Sequence, residues 1–198
     1  MAYSGTGLTK ETIKRMQLGA GTIHTGLEYK NNKWNFEESL LCATQGGNKL
    51  TYSENIEQIE VDGAFVAIEG LDVKFGETGT LECNPVEITD DILQKCIHLT
   101  KNTKNSVAGY DLYETQSTLP DDAYIKNFAF VGETTSKKPI IVIFEFALVN
   151  SGLEIDAKSK QANPYKLTAE ARASLDGNEY RKLPIKIYYP TEGTEVNA

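Results

Sequence analysis

Residues 71–84 read LDVKFGETGTLECN, and the spacing of their apolar side chains decides the fold. Leu71, Val73 and Phe75 alternate with Asp72 and Lys74, and Leu81 and Cys83 alternate with Thr80, Glu82 and Asn84. A period of two with one polar side marks antiparallel strands that bury one face and wet the other. Gly76 to Gly79 separates the two runs and reads as a turn, which predicts one strand over 70–75 and another over 80–86. The same alternation returns where Tyr165, Leu167, Ala169, Ala171 and Ala173 interleave with Lys166, Thr168, Glu170, Arg172 and Ser174.

Working outward, strands are expected over 22–29, 48–52, 109–114, 124–131, 140–149 and 180–189. Lys30 to Lys33 (KNNK) and Asp176-Gly177 read as turns, and Pro184 argues for an edge position of the last strand. Ile140 to Val149 is apolar on both faces except at Glu145, so it is a central strand or one covered by a neighbouring subunit. The helix expected at about 89–99 opens on Thr89 as N-cap, places Asp90 and Asp91 at its positive end, and lays Ile92, Leu93, Cys96, Ile97 and Leu99 on the sheet. The expected organisation is an N-terminal arm over 1–20, one β-rich domain over 21–190 and a C-terminal tail over 191–198. The fold class is mainly β, a β-sandwich with one flanking α-helix.

Charge is unevenly distributed. Residues 54–91 hold eleven acids (Glu54, Glu57, Glu60, Asp62, Glu69, Asp72, Glu77, Glu82, Glu87, Asp90 and Asp91) against one base, Lys74. The whole chain is −8, so the remainder is close to neutral, and the window predicts one strongly negative face. Such a surface suits a wall that polyanions slide past, or a docking face for a basic partner. It does not suit a nucleic-acid binder, which needs clustered Lys and Arg. A bland reading stands beside it, a solvated face that keeps the chain soluble.

Catalytic material is scarce. His24 and His98 read as capping or surface histidines, and Cys42, Cys83 and Cys96 lack metal-ligand spacing and read as reduced core thiols. Asp90-Asp91 and Asp121-Asp122 read as helix-start and turn acids rather than catalytic pairs. No nucleophile elbow, zincin motif, phosphate loop or EF-hand spacing is present. No enzyme activity, cofactor or metal is expected. The N-terminus has no apolar core of a secretory signal, and no apolar run approaches the ~18 residues of a membrane helix.

The segment Leu40 to Phe75, LLCATQGGNKLTYSENIEQIEVDGAFVAIEGLDVKF, resembles the major tail tube proteins of long-tailed (siphovirus-like) bacteriophages and prophages. The order LGAGTI (18–23), Trp34, ATQGG, IEVDGA, GLDV, the Leu81-Glu82 pair and EITDDIL (87–93) carries the resemblance over the first half of the chain. Beyond Asn105 only strand pattern and length agree. The resemblance implies a structural protein of the virion tail, made in the host cytoplasm and assembled as stacked hexameric rings. Strands of each subunit would contribute to an inner β-barrel, a negatively lined conduit through which phage DNA passes without specific binding. It further implies a ring-joining loop within 31–69, with Ile56, Ile59, Glu60, Val61, Asp62 and Phe65 at the interface, and Asp72, Lys74 and Glu82 facing the lumen. Partners would be the chain itself, a tape-measure protein and the terminator and distal tail proteins, with no membrane. The competing reading is a β-sandwich carbohydrate or receptor binder of a phage tail tip or cell surface, using Tyr110, Tyr113, Tyr188 and Tyr189.

Overall fold

The computed structural model describes residues 7–175 and 181–191. A short helix, α1 (Lys10–Arg15), leads into β1 (Gln17–His24). A two-residue ribbon of β2 (Tyr29–Lys30) and β3 (Lys33–Trp34), one helical turn α2 (Phe36–Ser39) and β4 (Leu40–Cys42) follow. Next come the long hairpin of β5 (Lys49–Gln58) and β6 (Asp72–Cys83), a π-wound turn α3 (Ile92–Cys96), and the small ribbon of β7 (Thr100–Asn102) and β8 (Leu112–Glu114). The remaining strands are β9 (Tyr124–Thr134), β10 (Pro139–Val149), β11 (Leu167–Ala171) and β12 (Ile185–Tyr188).

One antiparallel sheet runs in the order β4-β1-β9-β10-β11-β6-β5, with β12 paired beside the first half of β10. Its two ends approach each other. Thr44 bridges Pro85, Gln45 N–H donates to the Asn84 carbonyl at 2.9 Å, and Val86 N–H donates to Ala43 at 3.1 Å. The sheet therefore curls into two layers around one core that includes Ile23, Leu81, Cys83, Phe128, Phe144, Val149 and Leu167. This is the mainly β, sandwich-like architecture that the alternation predicts.

The layers exchange strands at a corner in β9 and β10. Phe128, Phe130, Val142 and Phe144 face the core at even positions, whereas Ile125, Ala147 and Val149 face it at odd ones. Register between the two strands stays constant through the corner, from Phe144 opposite Phe128 to Ala147 opposite Ile125. Both chains therefore switch faces together, and Asn127 takes the left-handed φ of 49° that the switch needs. Partners change at the same point: β12 lies along Ile141–Phe144 and β11 along Ala147–Val149. Gly21 is required nearby, because a Cβ there would stand 2.3 Å from the Phe130 ring.

The two-faced apolar strand is central, and its own chain covers it. Ile141 and Ile143 point away from the main core into a second cluster with Leu27 and Ala129, closed by Trp34 and Phe36. Trp34 meets Tyr188 edge-on at 5.0 Å and Tyr29 at 5.2 Å. The KNNK turn holds this aromatic cover in place, with Asn31 and Asn32 both at positive φ (53° and 61°), as a tight two-residue hairpin demands. A neighbouring subunit is not needed for that face.

Several expectations change. The Gly76–Gly79 turn does not exist: 72–83 is one strand, because β5 runs through the acidic stretch to Gln58 and pairs with all of it. Strand β1 starts at Gln17, so residues 17–20 of the expected arm belong to the sheet, and 25–28 of the expected first strand do not. The helix is shortened to a turn wound by Ile97 N–H bonding to Ile92 at 3.0 Å, although Thr89 still caps it through its hydroxyl to Ile92 N–H at 3.3 Å. His98 accepts a left-handed φ and ties this turn to the Val149 carbonyl at 2.8 Å. His24 is neither a surface nor a capping residue. It is buried between Thr22 (2.8 Å) and Ser39 (2.9 Å), and burial lowers its pKa to about 4. The three cysteines are free and buried, which raises each thiol pKa above its ordinary range. The Asp176-Gly177 turn, Tyr180 of the last expected strand and residues 192–198 of the expected tail lie outside the described residues. Among the described residues no helix is long and apolar enough to cross a membrane.

Candidate assembly site

The β5–β6 hairpin outgrows the body that anchors it. Its first pairs, Lys49–Glu82 to Tyr52–Gly79, sit on β11 and the core, and pairing then continues alone to Gln58–Asp72. Six further residues at about 3.4 Å each carry the arm roughly 20 Å beyond its anchor. At the anchor, Gly79 is enclosed by Ile185 and Leu183, whose methyl groups would stand 2.5 and 3.1 Å from a Cβ. β5 is the last strand of the sheet, so its outer backbone groups have no strand beside them among the described residues.

A charged cluster stiffens the root of the arm. Lys74 donates to Glu54 at 2.6 Å, to Glu77 at 2.7 Å and to the Tyr52 hydroxyl at 3.2 Å. Glu77 also accepts the Leu183 N–H, which fastens the arm to the segment leading into β12. Hydrogen bonds from Lys74, Tyr52 and Leu183 hold the Glu77 carboxyl down at about 2. Those to Glu54 and Glu77 lift Lys74 above its ordinary value.

The tip leaves apolar side chains in water. Ile56, Ile59, Val61 and Phe65 are all exposed, Phe65 almost completely at 98%. Glu60 and Asp62 stand exposed beside them. Few bonds order the loop: Ile59 N–H to Leu71 at 2.9 Å, Ala64 N–H to Val61 at 3.1 Å and the Gln58 amide to Ile68 at 3.3 Å. Val66 and Ile68 are exposed on the same loop and were not singled out from the sequence, although their apolar character within an acidic stretch was the available signal. Phe75, expected from the alternation on a buried face, is exposed instead because β6 bulges there.

Asp72, Lys74 and Glu82 do not share one face. Asn55 lies opposite Gly76 but Ile56 lies opposite Lys74, so Phe75 is an extra residue in β6. This bulge reverses the facing of everything beyond it. Lys74 therefore shares a side with Tyr52, Glu54 and Glu77, as its hydrogen bonds show. Glu82 points from the opposite side and pairs with Lys166 at 2.9 Å. That side also carries Lys49, and the Glu170–Arg172 pair at 2.6 Å lies on it.

The acidic window is thus not one wall. Glu77 meets Lys74, Glu82 meets Lys166, Asp90 meets Lys101 and Asp91 meets Lys95. Glu87 accepts the Ala43 N–H at 2.7 Å, closing the curled sheet. By contrast Glu57, Glu60, Asp62, Glu69 and Asp72 enter no ion pair among the described residues, and all five lie on the arm. The uncompensated negative field projects from the arm.

Other candidate groups stay apart. Tyr110 and Tyr113 belong to the β8 ribbon, whereas Tyr188 and Tyr189 lie at the end of β12, where Tyr188 packs on Trp34. No group of three or more His, Cys, Asp or Glu among the described residues is placed to hold a metal.

No family model matches the sequence, and no curated protein matches it. Among solved structures, the chain is similar to one from a "virion of native gene transfer agent (GTA) particle". That likeness has a TM-score of 0.42 and 8% identity, and it covers 78% of this chain and 92% of the other.

Proposed function

We propose that this chain is a self-assembling structural protein of a virion tail, which stacks as hexameric rings into a tube that conducts phage DNA. The observation that carries the reading is the arm. A hairpin that extends beyond the body, with an unpaired outer edge and Phe65, Val66, Ile59 and Val61 exposed at its tip, is the shape of an inter-subunit joint. The residues Ile56, Ile59, Glu60, Val61, Asp62 and Phe65 then form the joint between rings. The resemblance of residues 40–75 to tail tube proteins supports the same assignment.

The charge distribution refines it. The negative charge belongs chiefly to the joint, while Glu82 and its side of the sheet present balanced pairs. A conduit wall on that side offers DNA few bases free of a carboxylate and thus little counterion release. No chemical step is assigned to the protein. Its partners in this reading are further copies of itself, the tape-measure protein and the proteins that end the tube.

Negative-stain microscopy of concentrated protein tests the proposal. Rings or tubes of sixfold symmetry, with a lumen wider than duplex DNA, are the expected result. A protein that stays strictly monomeric at high concentration, at every ionic strength tried, would overturn it.

A further inference from the structure

The strand face that carries Ile141 and Ile143 is covered by a segment that fastens to the body at few points. Residues 25–39 leave β1, form the β2–β3 ribbon and α2, and return at β4. Thr25 N–H donates to the Ser39 carbonyl at 2.8 Å and joins the two ends, so the segment is a closed loop. Asn35 ties it internally, accepting the Glu28 N–H at 2.7 Å. Gly26 and Leu27 N–H reach the sheet, donating to the Lys126 and Asn127 carbonyls at 3.1 and 3.2 Å. Leu27, Trp34 and Phe36 supply the apolar cover.

His24 lies under the base of this loop. Its Nδ1 is 2.9 Å from Ser39 Oγ, its Nε2 is 2.8 Å from Thr22 Oγ1, and its ring meets that of Phe36 at 5.9 Å. Both hydrogen-bond partners are neutral. Glu37 and Glu38 on α2, Lys126 on β9, and Lys30 and Lys33 in the ribbon are exposed. Glu28 pairs with Lys30, and the Cys42 thiol on β4 belongs to the main core. Among the described residues no carboxylate pairs with the His24 ring, and burial holds its pKa at about 4. A proton reaches the ring only if one side opens. On the sheet side β1 is paired with both β4 and β9, so opening there breaks two ladders. On the other side only the loop stands in the way.

We propose that residues 25–39 are an acid-released lid, which lifts from the sheet when His24 takes up a proton and bares Ile141, Ile143 and Ala129. The sheet stays paired beneath it. Such an opening is a sub-global unfolding that breaks fewer contacts than unfolding of the whole chain. The histidine acts as the switch because its charged form needs the water that the lid excludes. The surface uncovered is conditional, unlike the permanently exposed arm, and the inference stands independently of the tube reading.

Hydrogen exchange of the full chain tests it, read as protection factors so that the intrinsic slowing at low pH cancels. Amides of Leu27, Asn35 and Ser39 report the lid, and those of Ile141 and Ile143 report the sheet. At pH 7 the lid amides should be less protected than the sheet amides. Between pH 7 and pH 4 lid protection should fall about 100-fold, because the ring binds its proton at an ordinary 6.5 with the lid up and at about 4 with it down. The sheet amides should stay the better protected at both pH values. In His24→Gln, lid protection should be the same at both. Equal protection of lid and sheet amides at each pH would overturn the proposal, since only unfolding of the whole chain would then uncover the ring. So would lid protection that does not change with pH, or a fall that persists in His24→Gln. The native-chain comparison decides even if the variant fails to fold.

Discussion

Strand β10 and the β5–β6 arm pose the same problem, and the chain solves it differently in each. Both are long β-segments whose apolar side chains exceed what one sheet face can bury. β10 sends Val142 and Phe144 into one core and Ile141 and Ile143 into another, and residues 27–36 fold back to cover the second face. The arm receives no such cover. Ile56, Phe65 and Phe75 remain exposed although the polypeptide had length to spare. That exposed apolar surface is what the proposed joint between copies would bury.

Substitutions sharpen this contrast. Phe144 is fully buried, so Phe144→Ala should cost the isolated subunit about 3–5 kcal/mol in denaturant titrations. A loss under about 1 kcal/mol would mean that β10 is not the centre of the core. The pH dependence of stability follows from His24. Its folded pKa, about 4, lies below the ordinary 6.5, so the unfolded chain takes up the proton first. Stability should be full above pH 6.5 and fall by roughly 3 kcal/mol as pH drops to 4. His24→Gln should flatten that slope, and an unchanged slope would place the titrating group elsewhere.

At the junction between body and arm the expected effect is smaller. Gly79→Val would press a side chain into Ile185 and Leu183 and should cost about 1–3 kcal/mol, read from the same titrations. On the arm itself, Phe65→Ser should change subunit stability by no more than about 0.5 kcal/mol. The same variant should abolish tubes. If Phe65→Ser destabilises the monomer as Phe144→Ala does, the distinction between a body that covers itself and an arm that does not collapses.

The root of the arm offers one further check. Glu77 titrates near 2 rather than 4.5, so its clamp on Lys74 and Leu183 is complete above pH 4.5 and is released as pH falls toward 2. The protection factors of amides in residues 53–57, which remove the intrinsic slowing of exchange at low pH, should fall over that window in the native chain. In Glu77→Gln the protection should already be low at neutral pH.

Period-two alternation was enough to name the mainly β class and to find β9, β10 and β11, and turn chemistry placed the tight turn at Asn31-Asn32. The two strands expected over 70–86 are the single strand β6, and Phe75, expected on its buried side, is exposed. Alternation reports local burial, and burial of one face is what a strand in a sandwich experiences. The resemblance of residues 40–75 to tail tube proteins, not the alternation, singled out the apolar, acidic stretch 54–69, whose Ile56, Ile59, Val61 and Phe65 are exposed in the structure. Three features were decided only in three dimensions. The Gly76–Gly79 segment is extended because β5 pairs across it, a long-range contact that overrides the turn preference of glycine. The bulge at Phe75 separates Lys74 from Glu82, and a one-residue slip in register leaves no trace in composition. The acidic window divided into local pairs with Lys74, Lys95, Lys101 and Lys166 on the body and at the root of the arm, and five acids on the arm unpaired among the described residues, because ion pairing depends on distance in space. The sequence determined which side chains need burial and which need water. The tertiary structure decided which of them meet, because strand register and the curl of the sheet set those distances.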